Sequence, residues 1–306
     1  MAIPTTRTKE RASVSIDADK CTGCGNCVEV CKDFGLEIRD EKAVLSKNPL
    51  FGCIACGHCM AVCPTGTITV TGRFLSREDL FSLPAKESAA GYFELLHLLQ
   101  RRRSIREFAD REVEMDVVNQ ILDAAATAPM GIPPSDVNVN VWKGKEKARA
   151  FAADFSAYLS GMKYMTSPLF LTLMRPFWGK ANDEMFRGFV SPLFRVFTEE
   201  FAHGNNYINY DAPLLMYFYG SPYTDPADPI VAATYAMIAG ESLGLGSCML
   251  GAVHPFIQNG PKAAAFRKKH HIRYKSREGI FVAFGYPAVK YGKGLKRSFA
   301  SVNISH

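Results

Sequence analysis

Strand-like runs at Ser13–Ile16 and at residues 67–71 bracket the first part of the chain. Residues 73–91 then mix Ser, Pro, Lys, Glu and Gly in no regular order, which predicts a linker with at most a short helical turn. From Tyr92 the apolar positions Phe93, Leu95, Leu96, Leu98 and Leu99 take helical spacing and run into a basic end at Arg101, Arg102 and Arg103. A second helix is expected over 113–127 and a third, Ala-rich, over 229–243. Strands are expected over 137–142, 212–219 and 280–285. The pattern predicts an α+β protein in two parts: residues 1–72, a linker over 73–91, and a larger unit over 92–306.

A length of 306 residues, 47% hydrophobic and 22% charged, supports two folded cores and is too apolar for a disordered chain. The formal charge is +6. The first 72 residues hold eight Lys/Arg and eight Asp/Glu, so the excess lies in the larger unit. A surplus this mild suits a phosphate-bearing cofactor as readily as nucleic acid. No dense basic run is interleaved with aromatics, so nucleic acid is not expected as a partner. The first twenty residues lack the apolar stretch of a secretory signal, which points to the cytoplasm. Residues 164–198 are the most apolar long stretch, but six charged residues from Arg175 to Arg195 break them up, so no membrane span is expected.

Eight of the nine cysteines lie between positions 21 and 63. Cys21, Cys24, Cys27 and Cys31 have the spacing C-x2-C-x2-C-x3-C, and Cys53, Cys56, Cys59 and Cys63 repeat it, followed by Pro64. Three thiolates at every third residue wrap a loop around one face of an iron-sulfur cubane, and the fourth reaches away. In the two-cluster pattern that fourth cysteine serves the other cluster. The pattern thus groups Cys21, Cys24, Cys27 and Cys63 as one set and Cys53, Cys56, Cys59 and Cys31 as the other. Gly23, Gly25 and Gly57 suit a backbone that turns tightly beside inorganic sulfur. Zinc favours paired C-x2-C units without a third cysteine at the same step, and disulfides need an oxidising compartment.

Over residues 13–72 the chain resembles bacterial two-cluster ferredoxins, which implies two 4Fe-4S clusters. Lys32 departs from the proline usual after the fourth cysteine and affects the local turn and potential. A segment this small has little core, so the clusters are expected to hold it folded, and oxygen-sensitive clusters suggest an anaerobic host.

Three arginines on a helix end usually form a solvated face. Here they open Arg102-Arg103-Ser104-Ile105-Arg106, followed after the second helix by Ala128-Pro129-Met130-Gly131. This order resembles the opening of the nitroreductase family, whose members bind FMN at a homodimer interface. The resemblance runs over residues 92–300. It includes Gly244-Leu245-Gly246-Ser247-Cys248, similar to the family's glycine turn beside the flavin ring, and Gly285-Tyr286-Pro287 followed by Lys296-Arg297, similar to its closing strand and basic phosphate pair.

The resemblance implies FMN contacts from Pro129, Met130, Gly131, Gly246 and Ser247. It assigns the phosphate to Arg102, Ser104, Lys296 and Arg297 beside Arg103, and the pyrimidine edge to Arg106. Where many members carry P-S-G-x-N-x-Q-P-W, this chain has Pro129-Met130-Gly131-Ile132-Pro133-Pro134-Ser135-Asp136-Val137, so side-chain amides are missing there.

Cys248 reads first as a small buried residue on a turn, with a reactive thiol as the alternative, and His254 as a helix-start or structural residue, with a proton donor near the flavin as the alternative. Phe186 with Phe189, and Phe194 with Phe197, read as packing positions, although the aromatic-rich segment is also a candidate substrate cover. No G-x-G-x-x-G follows a strand, so a Rossmann site is not indicated. NAD(P)H remains open, because the resembled family stacks nicotinamide on the flavin.

The expected function is reduction of a small nitro, quinone or enone compound, with electrons passing from a ferredoxin or flavodoxin donor through two clusters to FMN. Two alternatives are electron flow from NAD(P)H outward through the clusters and a non-catalytic electron-transfer subunit. No catalytic side chain is assigned.

Overall fold

The structure is a computed structural model that describes residues 11–131 and 135–305. Ile132, Pro133 and Pro134 of the departing loop lie outside the described residues.

The first unit has two-fold repetition. Strand β1 (Ser13–Ile16) leads to α1 (Asn26–Val30) and a hairpin of β2 (Leu36–Arg39) and β3 (Lys42–Leu45). Helix α2 (His58–Val62) and β4 (Ile68–Thr71) complete it, with β4 pairing antiparallel to β1. Each short helix follows a glycine in left-handed conformation, Gly25 at φ 80° and Gly57 at φ 75°, where a side chain would be strained. Strand β4 starts at Ile68 rather than at 67, because the Thr67 N–H donates to Cys63 Sγ at 3.4 Å. The core is small: Ile68, Val70, Met60, Ala55, Ala43 and Leu36 packed with Cys21, Cys27 and Cys59. Residues 77–95 are exposed throughout, with single 3-10 turns at Arg77–Asp79 and Lys86–Ser88.

The larger unit begins with α3 (Tyr92–Arg101) and α4 (Met115–Ala126), then β5 (Val137–Lys143) and α5 (Lys145–Ser160). Helix α6 (Pro168–Met185) is broken at Gly179, where φ is 79° and ψ 171°. Helix α7 (Ser191–Arg195) sits between π-helical turns at Phe186–Val190 and Val196–Glu200. Strand β6 (Leu214–Gly220), α8 (Asp228–Ser242), β7 (Gly246–Leu250), α9 (Val253–Phe256), α10 (Pro261–Lys269) and β8 (Gly279–Gly285) follow. The sheet is antiparallel in the order β5-β6-β8-β7.

Both faces of this sheet are covered, so its central strands are apolar at every position. On β6, Leu215, Tyr217 and Tyr219 join Phe151, Phe155 and Phe281 in one layer, while Leu214, Met216 and Phe218 join Ile121, Ala236 and Phe284 in the other. Small residues bring α8 close to the strands: a Cβ on Gly240 would stand 3.1 Å from the Phe284 ring. Phe194 and Phe197 pack into the core as their spacing suggests, but Phe189 is exposed, and Leu169, Leu173 and Phe177 form an exposed stripe on α6. Among the described residues no helix is long and apolar enough to cross a membrane.

The arginine run differs from its expectation. Helix α3 stops at Arg101, and Arg102 is already extended at ψ 128°. The cause is tertiary: Ile105 is buried, its N–H donates to Ser247 O at 3.0 Å, and Ser104 bridges to Ser247 in parallel. Gly246, Ser247 and Cys248 likewise form strand β7 rather than a turn, because they pair with Gly285, Phe284 and Ala283 of β8. The turn is at Gly244, with φ 80°.

Candidate functional site

The repeated loops bring the cysteines into two groups. Cys21, Cys24, Cys27 and Cys63 line one small cavity with Ala43, Thr65 and Thr67. Gly23 must be glycine, because a Cβ there would come within 2.1 Å of Glu41 O in the β2–β3 turn. Cys21 Sγ accepts the Ala43 N–H at 3.4 Å, and Cys63 Sγ lies 3.2 Å from Thr67 Oγ1 and 3.7 Å from Thr65 Oγ1. Burial pushes the Cys27 thiol up, helped by Cys24 and Cys63. At Cys63 burial works the same way, but the Thr67 and Thr65 hydrogen bonds win and bring the thiol down to about 6.

Around the second loop, Cys53 feels Cys56 and Cys31, and Cys59 feels Cys56, Cys53 and Cys31. Burial, reinforced by these neighbours, pushes Cys59 up to about 12. Cys31 therefore stands with the second loop and Cys63 with the first. Thiolates crowded together and partly desolvated are unfavourable alone. Iron bound among them would supply the opposite charge that makes the arrangement stable, so the donor sets fit 4Fe-4S clusters. Asp33, which the sequence pattern did not flag, also reaches the second set. Its Oδ1 accepts the Phe51 N–H at 2.6 Å, while its buried Oδ2 has no hydrogen-bond partner.

In the larger unit residues 104–109 run along the sheet end where β7 starts and β8 leaves. Phe108 bridges to Pro287, and the Ala109 N–H donates to Tyr286 O at 2.8 Å. Arg103 donates to the carbonyls of Gln100 and Arg102, and Gly294 of the C-terminal segment passes so close that a Cβ there would sit 2.6 Å from Arg103 Nη2. Exposed Lys296 and Arg297 follow on the same segment.

Among the described residues Arg102, Arg103, Lys296 and Arg297 make no ion pair with a carboxylate. Uncompensated cations on an open edge fit a phosphate group. Arg106 lies 5.8 Å from the Tyr210 ring centroid, and the Cys248 thiol and Tyr210 hydroxyl raise its affinity for its proton. Gly246 and Ser247 are buried beneath Ile105, and a Cβ on Gly246 would stand 2.5 Å from that side chain, so the glycine answers a packing need.

Pro129, Met130 and Gly131 are elsewhere. The Gly131 N–H donates to Asp228 Oδ1 at 2.9 Å, at the start of α8, whereas Arg101 pairs with Glu241 at the end of that helix. Helix α8 has 15 residues and is therefore about 22 Å long, so one chain keeps the two groups of candidates at opposite ends of a rod. Burial pushes the Asp228 carboxyl up, with Asp225 and Asp136 adding to it. His254 is structural: Tyr217 Oη is 2.9 Å from its Nδ1, Gln258 joins them, and burial pushes the imidazole down.

Comparison with known proteins follows the same division. Residues 99–286 match the nitroreductase family profile, and residues 13–71 match that of 4Fe-4S dicluster domains. A 32-residue stretch is 53% identical to Ferredoxin-2 of Desulfomicrobium norvegicum, covering 10% of this chain and 54% of that protein, so the chain spans about half the length of this curated relative. Among solved structures, a nitroreductase with bound FMN from Bacteroides fragilis superposes with a TM-score of 0.52 at 20% identity, covering 70% of this chain and 99% of the other. A nitroreductase with bound FMN from Desulfitobacterium hafniense gives 0.50 at 19%, covering 69% and 98%. These likenesses show the fold of the larger unit.

Proposed function

The chain belongs to the nitroreductase family and carries a 4Fe-4S dicluster domain ahead of it, and from that premise we propose that it is an FMN-dependent reductase fed with electrons through two iron-sulfur clusters. The observation that carries this reading is the coexistence, in one chain, of two four-cysteine sets and an uncompensated cationic edge on the reductase fold.

In this reading Cys21, Cys24, Cys27 and Cys63 hold one cluster and Cys53, Cys56, Cys59 and Cys31 the other. Arg102, Ser104, Lys296 and Arg297, with Arg103 beside them, grip the FMN phosphate, and Arg106 faces the pyrimidine edge. Pro129, Met130 and Gly131 are about 22 Å away along α8, so a second copy supplies them, and the working unit is a homodimer. The exposed apolar side chains of α3, Tyr92, Phe93, Leu95 and Leu99, and of the C-terminal segment, Leu295, Phe299, Val302 and Ile304, suit such a pairing. When bound, the clusters carry single electrons and FMN collects two for delivery to a small nitro, quinone or enone acceptor. Asp228 fixes the Gly131 backbone, which must stand in for the absent side-chain amides.

Anaerobic stopped-flow mixing tests the scheme. A reduced ferredoxin or flavodoxin should bleach the cluster absorbance first and the flavin next, with turnover of a nitro or quinone acceptor. Rapid flavin bleaching by NAD(P)H alone, with electrons leaving through the clusters, would reverse the proposed direction. Cofactor-replete protein that reduces no such acceptor would reduce the chain to an electron-transfer subunit.

A further inference from the structure

We infer that Asp33 makes the two cysteine sets unequal electron carriers, with the set containing Cys63 holding the first electron and the set containing Cys31 the more reducing second one. This rests on the reading that each set binds a 4Fe-4S cluster.

The internal repeat has an offset of 32 residues, which superimposes Cys31 on Cys63, Asp33 on Thr65, Phe34 on Gly66 and Gly35 on Thr67. The backbone keeps the equivalence. Phe34 and Gly66 are both left-handed, at φ 55° and 62°, although only one of them is a glycine. The side chains break it.

Cys63 has two hydroxyls beside its sulfur, at 3.2 Å and 3.7 Å, as well as the Thr67 N–H. At the equivalent place Cys31 has a glycine and a carboxylate: a Cβ built on Gly35 would meet Asp33 Oδ2 at 3.5 Å and Cys31 Sγ at 3.7 Å. The same carboxylate acts on Cys53 through space. Its Oδ2 is buried with no hydrogen-bond partner, and the intervening Lys32 turns away to donate to Glu29 O at 2.8 Å.

Other groups act on both sets. A backbone N–H reaches Cys27 from Val28 and Cys59 from Met60, at matching repeat positions. Cations flank both sets, with Lys42 donating to Cys21 O at 2.6 Å, Arg73 to Ile54 O at 2.7 Å, and Arg11 packed over Gly52.

Reduction adds one electron, and so one negative charge, to each cluster from a one-electron low-potential donor, with no bond made and no proton moved. Donors to sulfur favour that added charge, whereas a buried carboxylate near the cysteine set opposes it.

The experiment is an anaerobic redox titration of reconstituted full-length protein with dithionite and mediators, followed by electron paramagnetic resonance. Iron and sulfide are counted first. Protein short of about eight of each per chain would sink the cluster reading itself, separately from the asymmetry. With both clusters present, wild type should show two one-electron steps.

Asp33→Asn keeps an Oδ1 acceptor for Phe51 and removes the charge. It should ease the more reducing step by about tenfold in equilibrium constant, 59 mV for one electron, and leave the other in place. Thr67→Val should make the less reducing step harder and bring the two together. Coincident steps in wild type, or an Asp33→Asn protein in which neither step moves or the wrong one does, would overturn the inference. A purely structural role in holding Phe51 leaves both steps where they were.

Discussion

The two units of this chain are built from opposite materials. Among the described residues the core of the first has no aromatic ring, and three of its nine buried residues are cysteines. The core of the second is a double layer around β6 and β8, with rings stacked as closely as 4.0 Å between Tyr217 and Phe281. A core of short side chains buries too little apolar surface to offset chain entropy, whereas stacked rings over a covered sheet bury a great deal. The first unit is therefore a wrapping for its metal, and the second is a scaffold that stands without its ligand.

The strongest way to break this contrast is to remove the iron. Anaerobic chelation should leave residues 13–71 without protection in hydrogen exchange while the sheet of the larger unit stays protected. Protection surviving in both would end the distinction. Next in size, Phe281→Ala should cost the larger unit about 3 to 5 kcal/mol in chemical denaturation, because the ring is fully buried between neighbours that cannot close the gap. The iron content of the first unit should not change.

The cationic edge gives a smaller effect. Arg102→Gln should weaken FMN retention roughly tenfold or more, the worth of a lost charge-assisted hydrogen bond, without lowering the melting temperature. Unchanged FMN affinity by equilibrium dialysis would move the phosphate elsewhere.

The smallest effect is one of pH. The His254 imidazole is depressed by burial, so the unfolded chain takes up its proton near 6.5 while the folded one does not. That stability is present above pH 6.5 and is lost as pH falls toward the folded value, with a slope of at most about 1.4 kcal/mol per pH unit. His254→Gln should flatten the decline of the urea midpoint between pH 7 and 5. His270, also depressed by burial, contributes in the same sense and leaves a residual slope.

What could be read from the sequence was local. The cysteine spacing, the helices at α4 and α8 and the strands at β5, β6 and β8 follow from periodicities within a few residues. The arginine run misled because helical spacing in α3 says nothing of the pull that Ser247, more than 140 positions later, exerts on Ile105. The same long range hid the Tyr217, His254 and Gln258 network and the hold of Asp228 on Gly131. The π-helical turns flanking α7 left no periodic signature distinct from an ordinary helix. Asp33 was in plain view, but its meaning depended on which oxygen lacks a partner.

The exposed stretch between the units, residues 77–91, lends apolar surface to neither core. Its length is therefore open to change by insertion or deletion at little thermodynamic cost. In the proposed scheme, joining an electron carrier to its consumer through such a leash turns a search by diffusion into a tethered encounter at millimolar-scale effective concentration. On that scheme the reductase would be assured of a carrier whatever the abundance of unattached ones around it.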